Sequence, residues 1–219
     1  MRLKVRTYTG GPFQENGYLA LCEATGKGIV IDPGAWAARL ANDIRDEGLE
    51  IDAIVLTHAH LDHVEGIPAI REVTDAPIHL HPLDRPLYDR AGEQARAFGL
   101  PFEGPLPVPE KTLAHAQIFR FGEVELRVRE APGHAPGHVI LVCPEAGIAF
   151  VGDVVFMRSI GRTDLPGGNF QELMQSIREE VLTLPDETRL LTGHGPETTV
   201  EQERLGNPFL APNYRGGFA

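Results

Sequence analysis

The stretch Ala-Ile-Val-Leu-Thr-His-Ala-His-Leu-Asp-His, residues 53–63, places a short apolar run directly before a dense cluster of polar side chains. The run from Ala53 to Leu56 is continuous, which is typical of a strand that is buried on both faces of a sheet. α/β proteins place their active sites at the carboxyl ends of such strands, so this stretch predicts an α/β fold and a functional site. The residues of this site that carry imidazole or carboxylate groups are His58, His60, Asp62 and His63.

The residue types in this cluster indicate a metal site. Imidazole nitrogen and carboxylate oxygen are ligand atoms that zinc, iron and manganese accept in proteins. The spacing of His58 and His60 lets two imidazoles converge from one extended segment, and the following turn can direct Asp62 and His63 to a neighbouring position. The segment therefore has ligands for two ions. The alternative is a polar loop that is rich in histidine by chance, and it does not explain why the cluster follows so apolar a run.

Three later segments also place a histidine or aspartate beside a glycine next to a predicted strand. Pro132-Gly133-His134 lies in a turn between two strands, whereas Gly152-Asp153 and Gly193-His194 each follow an apolar strand. Each segment alone is a weak signal, because a single histidine or aspartate at a strand end is more often an ordinary loop residue. Together with the first cluster, they strengthen the prediction of a metal site.

The rest of the chain interleaves strands and helices without a linker or a repeat, which predicts one α/β domain over residues 1–219. Apolar and alternating runs predict strands at residues 3–8, 18–22, 29–31, 53–56, 78–80, 139–142, 148–151 and 189–192, with a hairpin at 118–129. Helical spacing predicts helices from Trp36 towards Gly48 and at residues 67–73, 170–182 and 197–204. Prolines and glycines predict an irregular loop at 99–109, which is long enough to cover a site.

Net charge, the lengths of the apolar stretches and the number of cysteines indicate which partners and which location to expect. The chain of 219 residues has a net charge of −11, which disfavours nucleic acid and an anionic membrane surface as partners. No apolar stretch approaches the length of a membrane span. Cys22 and Cys143 are too few for a disulfide scaffold and are expected to be small apolar fillers, so we expect a cytoplasmic protein. A small-molecule substrate is therefore expected, and the sequence leaves the oligomeric state open.

The order and spacing of Thr57-His58-x-His60-x-Asp62-His63, Pro132-Gly133-His134, Gly152-Asp153 and Gly193-His194 resemble the metallo-β-lactamase superfamily. More narrowly, Gly161-Arg162-Thr163-Asp164, Gly193-His194-Gly195-Pro196 and Asn207-Pro208-Phe209 resemble its short glyoxalase II-like hydrolases, and the first of these motifs also occurs in the related persulfide dioxygenases. The resemblance implies an αβ/βα sandwich, with two mixed sheets face to face and helices outside. It also implies two metal-binding positions. Zinc is the first expectation for both ions, and iron and manganese are the alternatives. The implied ligands are His58, His60 and His134 for one ion, Asp62, His63 and His194 for the other, and Asp153 as the bridge.

Two adjacent ions predict hydrolysis. They lower the pKa of bound water from about 15.7 to about 7 and stabilise the oxyanion that forms on attack. A thioester suits such a site because a thiolate with a pKa of about 8.5 leaves without a dedicated acid. Asp62 and Asp153 are the predicted catalytic residues, since both would hold ions and Asp62 can also accept a hydrogen bond from the nucleophile. The resemblance adds S-lactoylglutathione, or another 2-hydroxyacyl thioester of glutathione, as the substrate.

Two other activities remain open on the same scaffold. The nearer alternative is a persulfide dioxygenase, in which a single iron would be held by His58, His134 and Asp153. A β-lactamase is less expected, because in those enzymes a cysteine usually binds the second metal. Of the remaining polar residues, His138 is expected to support the site through hydrogen bonding, and Arg162 either meets a substrate carboxylate or pairs with Asp164.

Overall fold

The computed structural model describes residues 3–211 and Tyr214, so the outermost residues of the predicted domain, 1–2, 212–213 and 215–219, lie outside it. The first sheet has the strand order β1–β2–β3–β4–β5–β6. Its antiparallel half comprises β1 (Leu3–Gly10), β2 (Glu15–Cys22) and β3 (Lys27–Ile31). From β3 onwards the pairing is parallel, through β4 (Glu50–Val55), β5 (Ile78–Leu80) and β6 (Lys111–Thr112). The segments that follow β3, β4 and β5 therefore leave the sheet at the same edge.

The second sheet has the order β14–β13–β10–β9–β8–β7. Its strands in chain order are β7 (Ile118–Phe121), β8 (Val124–Glu130), β9 (Val139–Cys143), β10 (Ile148–Gly152), β13 (Arg189–Thr192) and β14 (Thr198–Thr199). A separate ribbon of β11 (Val155–Phe156) and β12 (Ser159–Ile160) lies between β10 and β13 in the chain. Since β10 and β13 run parallel, the segments after them also end at a common edge.

Helices cover the outer face of each sheet. On the first sheet they are α1 (Ala37–Glu47), α2 (Leu61–Val64), α3 (Ile67–Arg71), α4 (Arg85–Asp89) and α5 (Ala91–Ala97). On the second sheet they are α6 (Phe170–Ser176), which continues into a π-helical turn at Ile177–Val181, and α7 (Val200–Gly206). Between the sheets, apolar side chains such as Ile31 and Val55 pack against Leu141 and Phe150. Burying each of these side chains contributes about 1.5–3 kcal/mol. The predicted αβ/βα sandwich is confirmed.

The structure contains short elements that the sequence did not predict, among them α2, β6 and the β11–β12 ribbon. The helix predicted to begin at residue 197 begins at Val200, because Thr198–Thr199 pair with β13 and the Thr199 hydroxyl caps α7 by accepting a hydrogen bond from the N–H of Gln202. Helices α4 and α5 were not predicted, since each is too short to show a sustained apolar period. The loop at 99–109 is irregular as predicted. In the described part of the chain, no helix has the length and apolar character needed to cross a bilayer.

Candidate metal centre

The strand-end segments of both sheets converge on one centre. Side-chain ligand atoms of His58, His60 and His134 lie within 4.8 Å of one another. A second group with the same spacing consists of Asp62, His63 and His194. The structure thus brings together the residues that the family resemblance implied for each of the two metal positions.

Asp153 lies between the two groups. Its Oδ1 atom is 3.4 Å from Nε2 of His63, and its Oδ2 atom is 3.4 Å from Nε2 of His134 and from Nε2 of His194. One carboxylate at the end of β10 therefore faces both clusters. This is the position from which a carboxylate can bridge two cations.

Hydrogen bonds orient the histidine rings. The Nδ1 atoms of three of them face oxygen atoms outside the centre: Asp32 Oδ2 for His63 at 3.2 Å, the Arg162 carbonyl for His134 at 2.7 Å, and the Phe13 carbonyl for His194 at 3.0 Å. A proton on each Nδ1 leaves the lone pair of Nε2 directed inwards. Metal-binding histidines are commonly held in this way, because the outer hydrogen bond selects the tautomer and fixes the ring.

The donor set fits metal ions. Buried atoms that have no hydrogen-bond partner include Nε2 of His58, Nε2 of His63 and Oδ1 of Asp153. Leaving such an atom buried and unsatisfied costs about 1–3 kcal/mol. A cation between the imidazole nitrogens and the carboxylate oxygen would satisfy these lone pairs together, and nitrogen–oxygen donor sets are those that zinc, iron and manganese accept.

The pKa shifts of the histidines differ between the two ligand clusters. Burial, reinforced by neighbouring imidazoles, lowers the pKa of His58 well below its ordinary value and that of His60 to about 3, so both rings are neutral. Burial also disfavours the charged form of His194, but hydrogen bonds to Asp153 and Asp62 outweigh it and raise the pKa of His194 to about 10. Because ligands must be deprotonated, ion binding at His194 displaces a proton.

Asp32 and Asp84 support the centre, and neither was among the predicted site residues. Asp32, directly after β3, accepts hydrogen bonds from the N–H of Thr57 at 2.7 Å and from its hydroxyl at 2.6 Å. Asp84 is fully buried and accepts the N–H groups of Ala59 at 2.9 Å and Gly137 at 2.5 Å, which joins two ligand-bearing loops. Burial raises the pKa of Asp84 to about 6. The available sequence signal was a carboxylate placed after a parallel strand, as at Asp32.

The structure shows the roles of His138, Arg162 and the two cysteines. The supporting role of His138 is confirmed, because its Nε2 accepts the backbone N–H of Asp153 at 3.0 Å and its ring stacks on His58. Of the two outcomes left open for Arg162, the structure shows a two-point ion pair with Asp164, both bonds at 2.7 Å. The two cysteines are buried and unpaired, as expected.

The centre opens into a cleft of about 350 Å³. Asp62 and His194 border it, and Phe13, Phe98 and Phe156 form apolar walls. The loop at 99–109 borders neither this cleft nor the cavity beside it. It packs instead beside the helices of the first sheet through Phe102 and Leu106. The sequence left open whether this loop covers the site, and in the structure it does not.

Comparison with known proteins decides the family. A model of the metallo-beta-lactamase superfamily matches residues 10–194, a range that contains both clusters. The chain belongs to this superfamily. Hydroxyacylglutathione hydrolase GloC of Haemophilus influenzae is 36% identical over 200 residues, which cover 90% of this chain and 93% of GloC.

Two solved structures extend the comparison. TTHA1623 in a di-iron-bound form is 42% identical with a TM-score of 0.85, over 94% of this chain and 100% of that one. The B3 metallo-beta-lactamase BLEG-1 is 35% identical with a TM-score of 0.87, over 94% of this chain and 99% of that one. The family match, the GloC relative and the histidine–aspartate clusters together show a metal-dependent hydrolase that binds divalent ions.

Replacing Asp32 with Asn tests how this superfamily member orients His63. Asn tolerates the positive φ of 48° at this position, but its neutral amide holds the His63 Nδ1 proton less strongly than a carboxylate does. We expect metal affinity to fall about 10–100-fold, the usual effect of losing such an outer partner. Competition with a chelator measures it, with exposed Asp75→Asn as the control. An unchanged affinity would show that Asp32 does not act through His63.

Proposed function

We propose that the chain is a binuclear hydrolase that cleaves thioesters, with S-lactoylglutathione as the first substrate to test. The observation that carries the proposal is the pair of three-residue clusters that share the single carboxylate of Asp153. His58, His60 and His134 would hold one ion, and Asp62, His63 and His194 the other. The relative GloC, a hydroxyacylglutathione hydrolase, supports the choice of substrate.

When bound, two divalent ions supply hydroxide at neutral pH and stabilise negative charge on the substrate oxygen. The protein orients this chemistry. Asp62 lies at the cleft, with its side chain 16% exposed and its Oδ2 atom 3.3 Å from Nε2 of His194. From there its carboxylate can accept a hydrogen bond from the attacking nucleophile and direct the lone pair towards the carbonyl carbon. The departing thiolate needs no protein acid, because its pKa of about 8.5 makes it a good leaving group.

The persulfide dioxygenase alternative uses fewer of these residues. A single iron on His58, His134 and Asp153 would leave Asp62, His63 and His194 without a role in the reaction. The ligand atoms of these three residues lie within 4.8 Å of one another, as do those of the first cluster, and His63 is fully buried. Their arrangement supports two ions over one.

A second candidate is hydrolysis of a β-lactam amide, which the likeness to BLEG-1 favours. A lactam nitrogen is a poorer leaving group than a thiolate and needs a proton as the ring opens. The proton can come from the nucleophile itself, and the Asp62 carboxylate, whose pKa would be raised by burial but is lowered chiefly by the charge of His63, can relay it to the nitrogen. Comparing a chromogenic cephalosporin with the thioester under the same conditions separates the two activities.

We also propose a small-molecule substrate as the partner and the cytoplasm as the location. A net charge of −11 supports a small-molecule substrate and disfavours nucleic acid or an anionic membrane as a partner. The two unpaired cysteines, Cys22 and Cys143, are consistent with a reducing cytoplasm.

Turnover of S-lactoylglutathione tests the proposal directly. We expect protein loaded with zinc, iron or manganese to hydrolyse the thioester, followed as loss of thioester absorbance, and chelator-stripped protein to be inactive. Reloading the stripped protein should restore the rate. Absence of turnover by protein that carries two ions would contradict the choice of substrate. Oxygen uptake with glutathione persulfide by protein that carries one iron would instead establish the dioxygenase.

A further inference from the structure

A second cavity of about 210 Å³ adjoins the metal-centre cleft. The two cavities share a wall formed by His60, Gln94, Phe98 and Leu165. Because His60 belongs to the first ligand cluster and lines both cavities, a group bound over the metal centre lies directly beside the second cavity. We call this second cavity the apolar subsite, and its apolar lining consists of Leu87, Ala97, Phe98, Leu165 and Pro166.

The size and surface of the apolar subsite suit an aromatic ring. A dry cavity of about 150 Å³ lined by apolar side chains is enough to bind benzene. Phe98, in the wall shared by the two cavities, is 44% exposed, and its ring packs edge to face against Phe13 with 5.1 Å between centroids. An exposed aromatic face in a concave site offers a bound ring both apolar area and favourable ring geometry.

Charge recognition contributes little at this subsite. Among the described residues that line the two cavities, Arg90 and Arg162 are the ones with lysine or arginine side chains. Arg162 is held by Asp164 through two bonds of 2.7 Å, and Nε of Arg90 donates to the Pro86 carbonyl at 2.9 Å. The charge of Arg162 is therefore neutralised, whereas Arg90 makes this one hydrogen bond through Nε, and the oppositely charged Glu93 lines the same subsite. Since most of the lining is apolar, binding here depends mainly on apolar contact.

We propose that the apolar subsite holds an apolar substituent of the thioester, about the size of a phenyl ring, next to the scissile carbonyl. The inference rests on the proposed function, since it requires the carbonyl to lie at the metal centre. The substituent belongs either to the acyl group or to the thiol, because both are attached to the carbonyl carbon.

Two matched pairs of substrates, each replacing a methyl group with phenyl, test the subsite and identify the side. S-mandeloylglutathione against S-lactoylglutathione varies the acyl side, and the lactoyl thioesters of benzyl mercaptan and ethanethiol vary the thiol side. We expect kcat/KM to rise about tenfold or more in one pair, as a well-filled apolar pocket allows. Hydrolysis without a phenyl preference in either pair would overturn the subsite and leave the hydrolase intact.

A variant and a binding measurement complete the test. Phe98→Ala should lower the phenyl-to-methyl ratio about tenfold. Leu205→Ala, an equally apolar residue that is 79% exposed outside the cleft, should leave the ratio unchanged. If no thioester is turned over, the proposed function fails, and equilibrium binding to metal-loaded protein then decides the subsite, with mandelate against lactate for the acyl side and benzyl mercaptan against ethanethiol for the thiol side. Tighter binding of the phenyl compound in one pair that Phe98→Ala abolishes supports the subsite, whereas equal binding within both pairs overturns it.

Discussion

Asp153→Asn should lower kcat/KM for thioester hydrolysis about a thousandfold while the protein stays folded. The amide has nearly the shape of the carboxylate, so the packing around β10 is kept. In the native protein the Asp153 carboxylate lies 3.4 Å from the Nε2 atoms of His63, His134 and His194, so its negative charge faces both clusters. The neutral amide removes that charge. Steady-state kinetics at fixed metal concentration, together with bound metal per chain, measure the effect.

The exposed Asp46→Asn substitution provides the matched control and should leave both readings unchanged. A bridging carboxylate predicts that Asp153→Asn lowers the metal content as well as the rate. Full activity with two ions retained would show that Asp153 is not shared between the clusters.

Gly193→Ala should lower kcat/KM about a hundredfold, because it displaces groups at the metal centre by about an ångström. A Cβ atom at this position would lie 2.0 Å from Oδ1 of Asp153 and 2.8 Å from Cε1 of His63. The backbone cannot retreat, since the Gly193 N–H donates to the Gly152 carbonyl at 2.8 Å and its carbonyl accepts the N–H of Asn16 at 2.7 Å. The Asp153 side chain must therefore move.

Gly206→Ala is the control for this substitution, because a Cβ atom there meets no other atom within 4 Å. Circular dichroism should show that both variants are folded. The hydrolysis rate should fall in the Gly193 variant alone. An unchanged rate for Gly193→Ala would show that the carboxylate of Asp153 tolerates displacement, which would contradict a bridging role.

The strand-end residues could be predicted from the sequence because several apolar strands are each followed by imidazoles, as at His58, or by a carboxylate, as at Asp153. The sandwich fold was implied by the family resemblance that these segments carry together. These segments converge because β4 lies in one sheet, β10 and β13 lie in the other, and the sheets pack face to face.

The supporting residues could not be predicted because their roles depend on distant contacts. Glu15 has an ordinary position at the start of β2, yet in the structure it is buried, accepts a hydrogen bond from Trp36 at 2.5 Å and lies 3.8 Å from Nδ1 of His63. Asp84 likewise joins segments that lie 25 and 53 residues away. The apolar subsite depends on α4 and α5, which are too short for a periodic pattern.

The number of ions needed for activity tests the two-ion account most directly. Metal-free protein would be titrated with zinc, and separately with ferrous iron and manganese, while hydrolysis of S-lactoylglutathione is followed. The account predicts that the rate rises until two equivalents are bound per chain and then stays constant. A rate that reaches its maximum at one equivalent, or that does not depend on metal, would contradict a binuclear hydrolase.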